Sequence, residues 1–225
     1  MKYALTNNAR TEATKGAIGT CPNCGSELVA KCGVIKVNHW AHKGIRSCDP
    51  WWENETEWHR AWKNNFSTDW QEFTFADSLT GEKHIADVRT VHGQVIEFQH
   101  SYLDSIERAK REAFYKNMIW IIDGTRLKRD YSRFLKGKAG FRSTKITGLF
   151  SHDFPDECFP SAWLGSTVPV VFDFKGMETI SSEKDFRNDL YCLFPKSNRR
   201  ESFVALLSRQ SLINSIISGE VLKTT

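Results

Sequence analysis

The sequence contains no long apolar run. None of its windows approaches the roughly 18 consecutive apolar residues that a membrane-spanning helix needs, and residues 1–16 lack the apolar segment of a signal peptide. We therefore expect a cytoplasmic protein without a membrane partner. Internal repeats and low-complexity segments are missing as well, so the domain organisation must be inferred from motifs and hydrophobic periodicity.

The composition is that of an ordinary globular protein. The chain has 225 residues, of which 26% are charged and 40% are hydrophobic, and this length allows one medium domain with an extension or two small domains. Four of the six cysteines lie within the first 48 residues. Because disulfides are rare in the cytoplasm, we expect these cysteines to be metal ligands or buried thiols.

Acidic residues are scarce in one long segment. Between Arg126 and Lys145, eight basic residues accompany a single acid, Asp130, although the net charge of the whole chain is only +4. A local surplus of positive charge suits a polyanion partner, because phosphate neutralisation and counterion release supply most of the non-specific affinity for nucleic acids. A solvated helix face gives the same pattern.

Motif density divides the chain into three regions. Residues 1–50 are rich in cysteine, histidine and glycine, and their apolar residues are too few to fill a core without a metal. Residues 51–136 alternate periodic segments that predict a mixed α/β core. Residues 137–225 form a C-terminal accessory region whose role the sequence does not indicate.

The central region predicts the element order αβββαβ. Helices are expected at residues 53–66 and 103–116, and strands at residues 72–76, 85–91, 94–99 and 118–123. Turn signals at Thr80-Gly81 and His92-Gly93 separate the first three strands, so residues 85–99 are expected to form a hairpin within an antiparallel meander.

The C-terminal region carries no motif of known chemistry. We expect a strand at residues 168–174 and a helix at residues 200–218. The apolar segments of this region suit the core of a small accessory domain or a docking surface for a protein partner, and spacing does not choose between the two.

The spacing of Cys21 and Cys24, followed by Gly25, is typical of a zinc knuckle, in which a tight turn presents two thiolates to one ion. The preferred ligands of a structural Zn²⁺ are Cys21, Cys24, His39 and His42. Cys32 or Cys48 could replace a histidine, and His42 could orient a ligand without binding the ion. The alternative is a pair of buried thiols beside ordinary histidines.

Acidic residues form a second candidate site. Glu55, His59 and Lys63 recur every four residues and are expected to share one stripe of the first helix. Asp87 and Glu97 lie on consecutive strands separated by a short turn. An acid such as Asp87 between apolar strand residues needs a partner when it is buried.

Two partners for these acids remain open from the residues alone. Oxygen ligands from Asp87, Glu97 and Glu55 suit Mg²⁺ or Mn²⁺, which can polarise a phosphodiester oxygen and activate water. The alternative is a salt bridge within the hairpin, between Asp87 and either Arg89 or Lys83.

The order of these motifs resembles the PD-(D/E)xK nuclease superfamily and, more narrowly, the competence protein CoiA family. The matching features span residues 13–123. They are the Cys21–Gly25 and His39–His42 motifs, Glu55 with His59 and Lys63, the segments Ile85–Val88 and Ile96–Ser101, and Arg111 four residues before Tyr115.

The resemblance implies a restriction-endonuclease-like core with a catalytic ion. Asp87 and Glu97 would bind the ion, and Glu55 would assist directly or through water. Gln99 falls where the superfamily has its lysine. Lysine can stabilise developing negative charge, whereas a neutral amide serves to orient water, and Lys63 or Arg111 could restore the positive charge.

The second helix carries candidate phosphate ligands. Arg111 and Tyr115 lie one turn apart and Arg108 occupies a neighbouring position, so with Lys63 they are our candidate substrate-binding residues. The alternative is an arginine stacked on tyrosine that stiffens the helix.

The sequence therefore predicts a Mg²⁺- or Mn²⁺-dependent deoxyribonuclease, with Glu55, Asp87, Glu97 and Gln99 as catalytic residues. Its partner would be DNA, with a weak preference for single strands, and its role would be DNA processing, recombination or genome defence. The alternative is a non-catalytic DNA-binding or recombination-mediator protein with a nuclease-like fold, which the glutamine at position 99 favours. RNA cleavage is a weaker third hypothesis.

Overall fold

The computed structural model describes residues 1–44, 48–77, 81–196 and 201–220. Contacts divide the chain into an N-terminal unit, Met1–Arg89, and a C-terminal unit, Thr90–Thr225. Both units contain strands and helices, which confirms the predicted mixture of α and β structure. The division into residues 1–50, 51–136 and 137–225 stays a prediction.

The N-terminal unit contains a five-stranded antiparallel sheet with the order β2-β1-β3-β4-β5. Its strands are β1 (Tyr3–Thr6), β2 (Ala9–Glu12), β3 (Ile18–Thr20), β4 (Glu27–Lys31) and β5 (His39–His42). Leu28 and Trp40 are the large side chains of its small core. Gly19 is required in β3, because a Cβ there would lie 2.9 Å from the Ala4 side chain and 3.3 Å from Trp40.

The rest of the described part of this unit holds one α-helix, a 3-10 turn at Thr68–Trp70 and an antiparallel strand pair. The α-helix and the strands are α1 (Glu57–Lys63), β6 (Gln71–Ala76) and β7 (Lys83–Arg89). Trp58 and Trp62 lie one turn apart on α1 and are both buried. The helix is shorter than the predicted 53–66, because the Thr56 side chain caps it by accepting a hydrogen bond from the His59 backbone N–H at 3.3 Å. Of the predicted Thr80-Gly81 turn, Thr80 lies outside the described residues.

The C-terminal unit contains seven strands in the order β10-β11-β14-β13-β12-β9-β8. Strands β8, β9 and β12 are mutually parallel, and the other pairs are antiparallel. The strands are β8 (Val95–Gln99), β9 (Met118–Asp123), β10 (Arg142–Ser143), β11 (Leu149–His152), β12 (Val170–Asp173), β13 (Asp189–Leu193) and β14 (Ser202–Ser208). Strand β12 pairs directly with β9, so the predicted accessory region shares a sheet with strands of the predicted core.

Three helices complete the described part of this unit. They are α2 (Ser105–Tyr115), α3 (Lys128–Gly137) and α4 (Arg209–Ser218). The helix predicted at residues 200–218 was half wrong, because residues 202–208 pair with β11 and β13 as strand β14. Its predicted first residue, Arg200, lies outside the described residues. None of the helices in the described ranges has the length and apolar content that crossing a bilayer requires.

Candidate functional site

Three cysteines and one histidine of the N-terminal unit form a candidate metal site. The ligand atoms of Cys21, Cys24, His42 and Cys48 all lie within 4.8 Å of one another. The Sγ atoms of Cys21 and Cys48 are 3.5 Å apart, and Cys24 Sγ is 3.3 Å from His42 Nε2. Zinc–sulfur bonds of about 2.3 Å in a tetrahedron separate two sulfurs by about 3.8 Å. The donor set and its spacing therefore fit a closed, structural Zn²⁺ site.

The local sequence explains how the thiols converge. Gly25 adopts a φ of +74° and donates its N–H to the carbonyl of Cys21 at 2.9 Å, which closes the tight turn between the first two thiols. The Asn23 amide inside this turn donates to the Cys48 carbonyl at 3.2 Å and lies 3.1 Å from its sulfur. The knuckle thus also fixes the fourth ligand, which comes from much later in the chain.

The structure corrects one predicted zinc ligand. His39 lies outside the group, and Cys48 takes its place. His39 and His42 both belong to β5 and are three residues apart, so they point to opposite faces of the strand. The His39 ring interacts instead with the Val37 carbonyl at 2.9 Å. The other alternative, Cys32, contacts the Ala13 carbonyl at 3.5 Å.

The thiols have contrasting environments. Burial raises the pKa of Cys21 and raises that of Cys48 to about 12. For Cys24 burial acts in the same direction, but hydrogen bonds from Ser26 and His42 outweigh it and lower the pKa to about 6. A bound cation would favour the thiolate at all three positions.

Four charged side chains form a second group in the N-terminal unit, which we call the Lys63 cluster. It consists of Glu55, Lys63, Glu72 and Asp87. The Lys63 ammonium lies 2.9 Å from Asp87, 3.5 Å from Glu55 and 3.6 Å from Glu72. The first three side chains are almost fully buried, and Asp87 is 22% exposed. One ammonium thus meets three carboxylates away from bulk water.

The backbone explains why the acids of the Lys63 cluster meet. Gln71 pairs with Val88 and Phe73 pairs with Ala86, so Glu72 is opposite Asp87 in the register of β6 and β7. Like charges at facing positions repel. Glu72 has a left-handed φ of +47°, and its carboxylate accepts the backbone N–H groups of Lys2 and Tyr3 at 2.5 and 2.9 Å. These contacts compensate the strained backbone and hold the acid beside Lys63.

Glu55 reaches the same ammonium from outside the helix. The sequence places Glu55 and Lys63 on one helical stripe, but α1 begins at Glu57, so that expectation was wrong for Glu55. Its carboxylate also binds the Arg60 guanidinium at 2.7 and 3.1 Å. Burial opposes ionisation of Glu55, but the charges of Lys63 and Arg60 prevail and lower its pKa to about 2.

The same balance of effects fixes the charge of Lys63. Burial disfavours the ammonium, but the carboxylates of Asp87, Glu55 and Glu72 more than offset it, and the Lys63 pKa is raised well above its ordinary value. Asp87 thus forms a salt bridge with Lys63 of α1, which is a different interaction from the bridge within the hairpin that the sequence offers as an alternative. Arg89, one of the two partners considered from the sequence, lies over the Phe73 ring at 4.5 Å.

Glu97 and Gln99 lie in the C-terminal unit, on strand β8. Every residue of that strand is buried, including both of these polar side chains. The Glu97 carboxylate accepts a hydrogen bond from Arg111 Nη1 at 3.3 Å, and the Gln99 amide donates to Ser101 at 3.3 Å. Arg111 also binds Glu107 through Nε at 3.1 Å. Burial opposes its charge, but Glu97 and Glu107 together raise the Arg111 pKa.

The predicted substrate-binding residues Lys63, Arg108, Arg111 and Tyr115 are all buried. Arg108 Nη1 donates to the Glu112 carboxylate at 2.6 Å, and the same carboxylate accepts hydrogen bonds from Trp120, Ser166 and Thr167. Arg108 therefore belongs to an internal network that fastens α2 to β9 and the loop before β12. This geometry gives no support to a role of Arg108 as a phosphate contact.

Comparison with known proteins bears on the segment that contains the candidate zinc site. Residues 5–50 match the family model described as competence protein CoiA, N-terminal domain. This match confirms the resemblance to the CoiA family. It covers strands β2 to β5, the second half of β1, and all four side chains of the candidate zinc site, Cys48 included. No curated protein and no solved structure shows significant similarity to the chain.

The basic segment from Arg126 to Lys145, which lies outside the CoiA match, exposes most of its charged side chains. Six of its eight basic side chains are exposed: Arg126, Lys128, Arg129, Lys136, Arg142 and Lys145. Arg142 forms two hydrogen bonds to Asp153, at 2.5 and 2.8 Å, and Arg133 binds Asp130 at 3.0 Å. Most of this charge is therefore accessible to an anionic partner.

The sequence gives little indication of two groups of functional interest. Glu72 was treated as an ordinary strand residue, and only its position opposite Asp87 in the strand register signals a shared charge site. His100 was left without a role, but its Nδ1 lies 2.7 Å from the buried Asp123 carboxylate at the end of β9. Aspartate as the last residue of an otherwise apolar strand was the signal that could have identified this pair.

Proposed function

We propose that the chain is a Mg²⁺- or Mn²⁺-dependent nuclease that hydrolyses DNA phosphodiester bonds and has a nuclease-like core. The observation that carries the proposal is the Lys63 cluster, in which three carboxylates meet around the Lys63 ammonium. Carboxylate oxygens are the ligands that Mg²⁺ and Mn²⁺ prefer. The match to the CoiA N-terminal domain supports a role in DNA processing.

The proposed ligands of the ion are Asp87 and Glu97, as the sequence resemblance assigns them, with Glu55 assisting. A bound Mg²⁺ or Mn²⁺ supplies Lewis-acid polarisation of the phosphodiester and lowers the pKa of water. Asp87 suits this assignment because it is the most exposed carboxylate of the Lys63 cluster. Glu55 and Glu72 are held more deeply and keep further partners, so they would orient Asp87 and Lys63.

Lys63 would supply the positive charge that Gln99 does not carry. Its ammonium is 2.9 Å from Asp87 and stays charged because three acids surround it. An ammonium beside the scissile phosphate stabilises negative charge that develops in the transition state, which a glutamine amide does less well. Gln99 would orient water. The exposed basic side chains of the segment from Arg126 to Lys145 would neutralise the DNA backbone.

The second candidate is a non-catalytic DNA-binding or recombination-mediator protein. The Lys63 cluster favours this reading in one respect, because an ammonium already balances the acids and no metal is needed to make their burial tolerable. A protein partner bound through residues 137–225 would suit this function as well as the first.

The deciding experiment is cleavage of single-stranded, duplex and circular DNA with Mg²⁺, Mn²⁺ or neither. Wild type is compared with Asp87→Asn and Glu97→Gln, and Lys43→Gln, an exposed lysine paired with Glu27, serves as the charge-change control. The nuclease proposal requires metal-dependent cleavage that falls at least about 100-fold in both acid variants while DNA binding and folding persist. Equal DNA binding without cleavage by any of the four proteins would leave the mediator function.

A further inference from the structure

The C-terminal unit has a pocket to which the proposed nuclease function assigns no ligand, although Gln99 and three arginines of the basic segment line it. It lies at the carboxyl ends of the parallel strands β8, β9 and β12, and its volume is about 250 Å³. Residues 99–103 follow β8 into its wall, and residues 122–124 close the end of β9. In sheets with parallel strands, ligands bind in crevices outside these carboxyl ends.

Three arginines give this pocket a positive rim. Arg126, Arg129 and Arg133 come from the loop after β9 and the first turns of α3, and all three line the pocket. The first two are exposed, and Arg133 holds the buried Asp130 at 3.0 Å. Guanidinium groups bind planar or tetrahedral oxyanions through two parallel hydrogen bonds. Asp130 is paired to Arg133 and also interacts electrostatically with Arg129 and Arg126, so three arginines outnumber this one acid at the rim.

His100 also lines the pocket, and a contact to Asp123 orients its ring. The Nδ1 atom of His100 is 2.7 Å from Asp123 Oδ2, and the other oxygen of this carboxylate accepts the backbone N–H and the hydroxyl of Thr125 at 2.9 and 2.6 Å. Asp123 is buried, so the imidazole is oriented by an acid that is itself held in place. The adjacent turn packs closely against Phe174, because a Cβ at Gly124 would lie 2.5 Å from its ring.

We propose that this pocket binds a phosphomonoester, supplied by a free nucleotide or by the phosphorylated end of a DNA strand. Arg126 and Arg129 would bind the phosphate oxygens, and the His100 imidazole would contact the phosphate from the end of β8. A terminal phosphate fits better than a continuous strand, because the pocket is concave and its volume of about 250 Å³ lies below the range of about 300 to 1,000 Å³ for ligand sites. The proposal does not depend on nuclease activity.

Calorimetric titration of the full chain without Mg²⁺ or Mn²⁺ tests the proposal, since no cleavage can then occur. The probes are thymidine monophosphate, thymidine, inorganic phosphate, and an oligothymidine with a 5′-phosphate or a 5′-hydroxyl. We expect the monophosphate to bind and thymidine not to bind. Preference for the phosphorylated oligonucleotide over its 5′-hydroxyl form would identify a DNA end as the source, and binding of the mononucleotide alone would identify a free nucleotide.

A matched pair of double variants separates the pocket from general positive charge. Arg126→Gln/Arg129→Gln should weaken binding of the monophosphate by about tenfold or more. Lys136→Gln/Lys145→Gln removes the same charge from exposed side chains that do not line the pocket, and should change the affinity by less than about threefold. The proposal is overturned if monophosphate and thymidine bind alike, if neither binds at millimolar concentration, or if both double variants lose the same affinity.

Discussion

Replacing Lys63 by methionine removes the ammonium that contacts three acids, two of which are almost fully buried. With an effective dielectric constant of about 20, the attraction across the 2.9 Å contact to Asp87 is about 6 kcal/mol, and each longer contact adds about 5 kcal/mol. Desolvation of the ammonium offsets most of this sum. What remains is the cost of leaving carboxylates buried without their cation, about 3–5 kcal/mol. Glu55 keeps Arg60, so the lower end of this range is expected.

Urea unfolding of the N-terminal unit measures this loss. Six of the eight tryptophans lie in that unit, so the change of tryptophan emission with urea reports mainly on it. The control is Lys43→Met, which removes an ammonium of the same unit that is 64% exposed and pairs with Glu27 at 2.8 Å. An exposed pair of this kind contributes about 0.2–1 kcal/mol. The double variant Lys63→Met/Asp87→Asn should recover part of the stability, because it removes one of the stranded charges.

The reasoning is refuted if Lys63→Met lowers the free energy of unfolding by no more than the control. It is also refuted if Asp87→Asn adds to the loss in the double variant, because a stranded carboxylate must become less costly when it is made neutral. Added Mg²⁺ gives an independent check. If the ion can replace the missing ammonium, millimolar Mg²⁺ should raise the urea midpoint of Lys63→Met more than that of wild type.

Two further predictions concern the zinc ligands and the acid limb of stability. Cys48→Ser should lower the zinc content measured by mass spectrometry below one ion per chain, whereas His39→Ala should leave it unchanged; the opposite ranking would contradict the ligand set found here. Because the Glu55 pKa is lowered to about 2, its contribution is full above pH 4.5, decreases as the pH falls, and is lost near pH 2. The stability difference between wild type and Glu55→Gln should therefore shrink by about 3 kcal/mol across that window in urea titrations, and a difference that does not change with pH would contradict the buried ion pairs of Glu55.

The sequence predicts well those elements whose secondary structure does not depend on which distant segments they pair with. Strand β9 was predicted with its observed bounds, since an uninterrupted apolar run of this length fits a strand buried on both faces. Residues 202–208 show the opposite case. Their mixed apolar and polar pattern suits a helix as well as a strand, and pairing with β11 and β13 decides the outcome. Such pairing is a tertiary effect that local periodicity does not contain.

The candidate zinc site shows how one wrong local assumption changes a ligand. Two histidines separated by two residues can bind one ion from a helix or an irregular turn, but not from a regular strand. Because residues 39–42 form β5, only His42 faces the two knuckle thiols, and Cys48 completes the set after the strand ends. Predicting the strand first would have removed His39 from the ligands.

The Lys63 cluster shows why a buried acid alone does not identify a metal site. Asp87 requires a nearby cation, and the sequence offers Mg²⁺, Arg89 or Lys83 for that purpose; the structure adds Lys63 from a helix that begins 30 residues earlier in the chain. An ammonium at 2.9 Å satisfies the electrostatic requirement without any ion. A catalytic ion at Asp87 must therefore share the carboxylate with Lys63 or displace the ammonium from it. Either way, metal affinity should rise when Lys63 is replaced by methionine while the rate of cleavage falls, because the acids gain free charge and the transition state loses a cation. Rising affinity without any cleavage in wild type would assign Lys63 to stability alone.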